Sequence, residues 1–172
     1  MGLYNYGHKV AEEKKVARAQ GYDYDASYKD LVNACAAIRG KPLAEAKKTL
    51  EEAAAAKKAI PYKKFSKGTG HRSELGGSKG RYPKKEARIL LGLLKNAAAN
   101  AAFKGMDAAK LFVRSAIAYK QNVFPRYRKF WPGGSILGYG KQATWANYAT
   151  ARAEVTLEER EPKQKKEKRA KQ

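Results

Sequence analysis

Glycine and basic residues crowd one stretch of this 172-residue sequence, Pro61 to Tyr82, which reads PYKKFSKGTGHRSELGGSKGRY. Gly68, Gly70, Gly76, Gly77 and Gly80 invite comparison with loops that cradle phosphate. The dinucleotide fingerprint needs Gly at position 73, where Ser73 stands. The ATP-binding pattern needs Gly five residues before a Gly-Lys pair, and Ser or Thr after it. Gly140-Lys141 has Ser135 before it and Gln142 after it, and Gly40-Lys41 has Cys35 and Pro42, so both fail. What remains is a flexible basic loop that follows a polynucleotide backbone. Its glycines allow close approach, while Lys63, Lys64, Lys67, Arg72, Lys79 and Arg81 supply charge, and His71 lies among them.

Other chemistry finds little support. His8 and His71 are the only histidines and Cys35 the only thiol, so no zinc pattern exists. Cys35 lies on an apolar helix face and reads as a small core residue. The carboxylate pairs Glu12-Glu13, Glu51-Glu52 and Glu158-Glu159 sit in charged stretches and read as solvated surface. Aromatics are more informative. Phe124, Tyr127, Phe130, Trp131, Tyr139, Trp145 and Tyr148 interleave with Arg126, Arg128, Lys129 and Lys141. That segment is too polar and too broken by Gly and Pro to form a core. Stacking on unpaired bases, with cations on phosphates, suits it better.

Composition points the same way. The formal net charge is +21, from 37 Lys and Arg against 16 Asp and Glu. Such an imbalance is self-repelling without a polyanion and is rare in metabolic enzymes. Hydrophobic residues are 43%, enough for a core. The first 60 residues are nearly balanced, with 11 basic and 8 acidic, whereas residues 61–88 hold 9 and 2. Asp107 and Glu154 bracket 46 residues without a carboxylate. A solvated surface mixes both signs, so that length without acid implies phosphate contact. One cysteine allows no intrachain disulfide and fits a reducing compartment. The start, MGLYNYGHKV, has no secretory apolar run, and the apolar stretch Ile89–Leu94 is far short of a bilayer span. A cytoplasmic protein without membrane insertion is expected.

The elements that must position these groups follow from spacing. Residues 22–26 read as extended. Ser27 reads as the N-cap of a helix over Tyr28–Arg39, with Asp30 completing a capping-box variant. Leu31, Ala34, Cys35 and Ile38 give that helix one apolar face, and Gly40 stops it. Pro42 opens a second helix that continues through Lys57-Lys58. Pro83 opens a third, ending at Gly105, whose alanines permit close packing. The period then changes to two. Leu111, Val113, Ile117, Tyr119 and Val123 alternate with Phe112, Arg114, Ala118, Lys120 and Asn122. Ala149, Ala151, Ala153, Val155 and Leu157 alternate with Tyr148, Thr150, Arg152, Glu154 and Thr156. One long antiparallel hairpin over about 111–157, turning near Pro132–Gly140, is the economical arrangement. Arms of 15–20 residues reach roughly 50–65 Å, so the hairpin should project and need a partner along its length. Residues 161–172, EPKQKKEKRAKQ, form a basic tail with nothing to bury.

Two blocks resemble a known family. ASYKDLVNACAAIRGKPLAEAKKTLEEA resembles the first conserved block of the universal large-subunit ribosomal protein called L twenty-two, or L seventeen in eukaryotes. Ser27, Lys29 and Ile38-Arg39-Gly40-Lys41 hold its spacing without a gap. GRYPKKEARILLGLLKNAAANAAFKGMDAAKLFV resembles the second block, including Asn96, Asn100-Ala101, Lys104-Gly105 and Leu111. The long loop between helices is similar to the archaeal and eukaryotic form. Two departures stand out. Tyr28 occupies the position of a family proline, and Trp131-Pro132-Gly133-Gly134-Ser135 with Tyr139-Gly140-Lys141 replaces a denser Arg-rich tip.

The resemblance implies an α+β fold: three helices packed on a small three-stranded antiparallel sheet, with a long projecting β-hairpin. One domain over 15–160 is expected, after an N-terminal extension over 1–14. It implies a structural constituent of the large ribosomal subunit without catalysis or cofactor. Its globular part would lie near the mouth of the polypeptide exit tunnel, with the hairpin lining the wall and aiding assembly. Expected partners are large-subunit rRNA, neighbouring ribosomal proteins and the nascent polypeptide, not a free homo-oligomer. The expected rRNA contacts are Lys29, Arg39, Lys41, the basic loop residues with His71, Lys84, Lys85, Arg88, Lys120, Arg126, Tyr127, Arg128, Lys129, Trp131, Lys141, Trp145 and Arg152. The expected tunnel-facing tip is Trp131, Pro132, Gly133, Gly134, Ser135, Ile136 and Tyr139. Two rivals share parts of the pattern. A free-standing RNA or DNA chaperone or chromatin protein shares the charge but needs no long hairpin. An RNA-modifying enzyme needs a cofactor loop or acid–base pair, which the sequence does not offer.

Overall fold

The computed structural model describes residues 5–7, 15–126 and 146–160. Its elements run β1 (Val16–Tyr24), α1 (Tyr28–Ile38), α2 (Leu43–Ala54), β2 (Ile60–Pro61), β3 (Gly80–Arg81), α3 (Lys84–Phe103), β4 (Leu111–Arg126) and β5 (Ala146–Glu159). β1, β5 and β4 form an antiparallel sheet with β5 in the middle, and β2 pairs β3 in a small second sheet. The three helices and the small antiparallel sheets make an α+β fold, and β4 and β5 make the expected hairpin. Their pairing runs from Leu111↔Glu159 to Arg126↔Ala146. β1 accompanies β5 only as far as Tyr24↔Ala151, so the distal arms pair with each other alone. The expected turn near Pro132–Gly140 lies outside the described residues.

One core joins the helices to the sheet. Leu31 and Ile38 of α1, Leu50 of α2, Leu90 and Leu94 of α3, and Val155 and Leu157 of β5 are fully buried. Ala46 and Ala53 of α2, with Ala97 and Ala101 of α3, are equally inaccessible, and α2 packs on α3. Small side chains let two helices approach closely.

Several boundaries depart from the sequence expectation. The first strand starts at Val16, not Tyr22, because β5 supplies ladder partners to a segment with weak alternation. The Ser27 cap holds: its Oγ accepts from the Asp30 amide at 3.4 Å. The box itself is not closed by Asp30. The Ser27 amide donates to Oε1 of Glu86 on α3 at 3.2 Å, while the Asp30 carboxylate accepts from the Tyr62 hydroxyl. α2 stops at Ala54, short of Lys57-Lys58. Ala56 turns left-handed at φ 57, and the amides of Ala56 and Lys57 bond back to Ala53 and Glu52. That is a Schellman stop made without glycine.

A β-bulge rewrites the reading of β4. The register jumps between Val113 and Ser115, and burial passes from Leu111 and Val113 to Ala116 and Ala118. Ile117 and Tyr119, expected with Leu111 and Val113, therefore lie opposite Glu154 and Arg152 on the other face. Thr150, Glu154 and Thr156, on the alternate face of β5, are buried as well, so this strand is covered on both faces there. Glu154 accepts from the Gly7 amide at 3.1 Å and from the Tyr119 hydroxyl at 3.2 Å.

Both edges of the sheet are occupied at its domain end. On the β1 side, Asn100 Nδ2 and Lys104 Nζ of α3 donate to the carbonyls of Arg18 and Val16. On the β4 side, the Gly40 amide donates to Val113 O at 2.7 Å and the Val113 amide to Lys41 O at 2.9 Å. Gly40 sits at φ 78 to make this clasp. Capping a strand edge in this way blocks pairing with another chain.

Candidate nucleic-acid interface

The glycine-rich stretch folds on itself rather than running as a flexible loop. The β2–β3 ladder ties its ends, and the Tyr62 amide donates to Lys79 O. Inside, His71 pairs with Lys79, and Ser73–Leu75 form one 3-10 turn. Gly76 and Gly77 follow at φ 62 and 80. These two glycines serve a tight turn, not a phosphate cradle. His71 Nδ1 lies 2.5 Å from Gly77 O.

Two buried polar residues dock this plate on α1. Asn33 is 2% exposed. Its Nδ2 donates to Lys29 O and Lys64 O, and its Oδ1 accepts from the Lys64 amide. Tyr62 is buried, and its hydroxyl donates to Asp30 Oδ1 at 2.7 Å. Burial, then the Asp30 bond, pushes the Tyr62 hydroxyl well above the usual phenol range.

The predicted cations then divide into two kinds. Arg72 donates to Gly80 O at 3.2 Å and lies over the Tyr82 ring at 5.1 Å. The Tyr82 hydroxyl in turn donates to Glu74. Arg81 donates to Gly68 O and lies 6.0 Å from the Tyr62 centroid. These two arginines help shape the plate, and Arg81, still exposed, also lines the cleft beside Phe65. Lys63, Lys64, Lys67 and Lys79 are exposed. Their ammonium groups have no partner among the described residues.

Arg39 and Lys41 are also partly committed. Arg39 Nη2 donates to Ala116 O of β4 at 2.7 Å. Lys41 pairs with Glu45 at 3.0 Å. Both line a groove of about 440 Å³ with Lys58 and Lys63. Lys29, Lys67 and Arg81 line a second cleft beside Phe65. Lys84, Lys85, Arg88, Lys120 and Arg152 lie in neither. Lys84, Arg88 and Lys120 are exposed, and Lys85 pairs with Asp25 at 2.8 Å. Arg152 lies 4.4 Å from the Tyr119 centroid. The side chain of Arg126 and all of Tyr127, Arg128, Lys129, Trp131, Lys141 and Trp145 lie outside the described residues, as do the tip residues Pro132 to Ile136 and Tyr139.

The root of the hairpin is clamped. Asp23, at φ 55, takes hydrogen bonds from Asn122 Nδ2 at 3.0 Å and Thr150 Oγ1 at 3.3 Å. Its amide donates to Gln121 Oε1. Tyr148 and Lys85 converge on Asp25. The register shifts of β1 and β4 fall at this same level, so the clamp fixes where the arms leave the domain.

Sequence reasoning missed Asn33, Tyr62, Phe65 and Tyr82. An amide in a helix whose neighbours Leu31, Ala34 and Cys35 are apolar was the available signal for Asn33. Cys35 is a core residue as expected, with its thiol pushed up to about 12 by burial. Among the described residues, no group of His, Cys, Asp and Glu could hold a metal. No helix there is long and apolar enough to cross a membrane.

The family model for ribosomal protein L22p/L17e matches residues 19–134. The protein named large ribosomal subunit protein uL22 in Archaeoglobus fulgidus is 43% identical over 128 residues, 74% of this chain and 83% of that protein. Its counterpart of the same name in Staphylothermus marinus is 38% identical over 131 residues, 74% of this chain and 83% of that protein. That of Methanopyrus kandleri is 34% identical over 151 residues, 87% of this chain and 90% of that protein.

Proposed function

Since this chain belongs to the ribosomal protein L22p/L17e family, we propose that it binds large-subunit rRNA as a structural constituent of the cytoplasmic ribosome. In this reading it catalyses nothing. The plate of residues 62–82 and the carboxylate-free run of the hairpin, up to Ala153, neutralise phosphate where several RNA helices meet. The folded domain sets the position of the hairpin, whose tip lines the exit tunnel and meets the nascent polypeptide. The C-terminal tail and neighbouring ribosomal proteins complete the contacts.

The observation that carries rRNA binding is the outward set Lys63, Lys64, Lys67 and Lys79 on a plate held from behind by buried Asn33 and Tyr62. Fixed, unpaired cations release condensed counterions when they meet phosphate without first breaking ion pairs of their own. A free-standing chaperone would carry the same charge, so the test is retention. A tagged copy is sedimented from its own lysate in about 0.5 M salt, which strips phosphate-only binders. We expect near one copy per large subunit. Release to the top of the gradient would overturn the ribosomal reading.

A further inference from the structure

Phe65 is an aromatic residue in an unusual place. It stands at φ 56, a left-handed conformation that side chains other than glycine rarely adopt. The preceding residue is pinned on both its amide and its carbonyl by buried Asn33. The ring packs edge-on against Tyr28, with centroids 5.6 Å apart at 76°, and remains 45% exposed. Lys29 Nζ lies over the ring, 5.6 Å from its centroid, on a flexible exposed stem that an incoming base can displace toward its phosphate. Around it opens a cleft of about 570 Å³, lined also by Ser27, Asp30, Ser66, Lys67 and Arg81. The one carboxylate there, Asp30, is taken by the Tyr62 hydroxyl. The opening therefore presents a fixed exposed ring, three cations and two serine hydroxyls.

Strained backbone held by a buried hydrogen-bonding residue marks a side chain whose placement matters. From this geometry we infer that the cleft receives one unpaired RNA nucleotide, its base stacked on Phe65 and its phosphate met by Lys67 and Arg81. This inference rests on the rRNA-binding reading and adds a site to it. Stacking on an exposed ring with cations at its rim is tolerant of base identity, so the site selects an extruded base rather than a sequence. A duplex would offer phosphates but no base face.

Short-wave ultraviolet crosslinking of purified large subunits, followed by peptide mapping, tests the site. The expected result is a nucleotide adduct on the peptide bearing Phe65. Subunits carrying F65L, whatever their yield, should lose that adduct. Adducts on the Lys63, Lys64 or Lys79 peptides with none at Phe65 would overturn the proposal, as would a crosslink from Phe65 to a neighbouring protein. Absence of the chain from the subunit is a failure of the ribosomal reading instead. The cleft is then judged by binding of a labelled oligouridylate to the purified full chain. Weakening by about tenfold in F65L, with an unchanged melting curve, upholds it. Equal affinity of F65L and wild type overturns it.

Discussion

Asn33 shows how one side chain decides the character of a surface 31 residues away. Its three hydrogen bonds satisfy both backbone groups of Lys64 and a carbonyl of α1. Removing the amide leaves the part-buried amide and carbonyl of Lys64 without this partner and a hole where Asn33 was buried. Asn33→Ala should lower stability by about 2–3 kcal/mol, read from chemical denaturation. Amide exchange over residues 62–70 should quicken more than in α3. Equal quickening throughout would mean the plate is held by the β2–β3 ladder instead. The same site shows what sequence reading lacks. Asn33 matters because of a partner it meets only after folding, whereas Leu31, Ala34, Cys35 and Ile38 declare themselves by their own spacing.

At the scale of elements, the stops and registers were least legible. The helices and the hairpin could be read because their apolar periods persist over many residues, as in Leu90, Leu94 and Ala97 of α3. The end of α2 could not, since Ala56 looks like more helix. Its left-handed turn is imposed by the Schellman bonds. Ala56→Gly should stabilise the protein by about 1 kcal/mol by relieving that conformation, seen as a higher denaturant midpoint at unchanged slope. No change would mean the strain is already relaxed by neighbouring residues. The β4 bulge was equally silent, because an extra residue in one strand is defined only against its partner. The cations of the candidate interface could be named from sequence. Which of them shape the plate, as Arg72 and Arg81 do, and which stay outward could not.

For the whole molecule, charge is layered on a sheet whose edges are capped at the domain end and a plate whose back is anchored. Replacing Lys63, Lys64 and Lys67 together with Ala should leave the fold intact, because none of their side chains holds it. Affinity for rRNA should fall, and the salt dependence of log K should flatten by about 1 for each phosphate no longer neutralised. An unchanged slope in titrations of purified chain against rRNA would place the phosphate-binding cations elsewhere on the chain. The strand order carries a consequence of a different kind. β5 lies between β1 and β4, and Val16 pairs with Glu158 across almost the whole chain. During synthesis β1 and β4 emerge first and have no ladder to share until β5 follows. The sheet therefore closes only once β5 has been made. Until then, a strongly cationic and unfinished chain must be kept from the very polyanion that makes it.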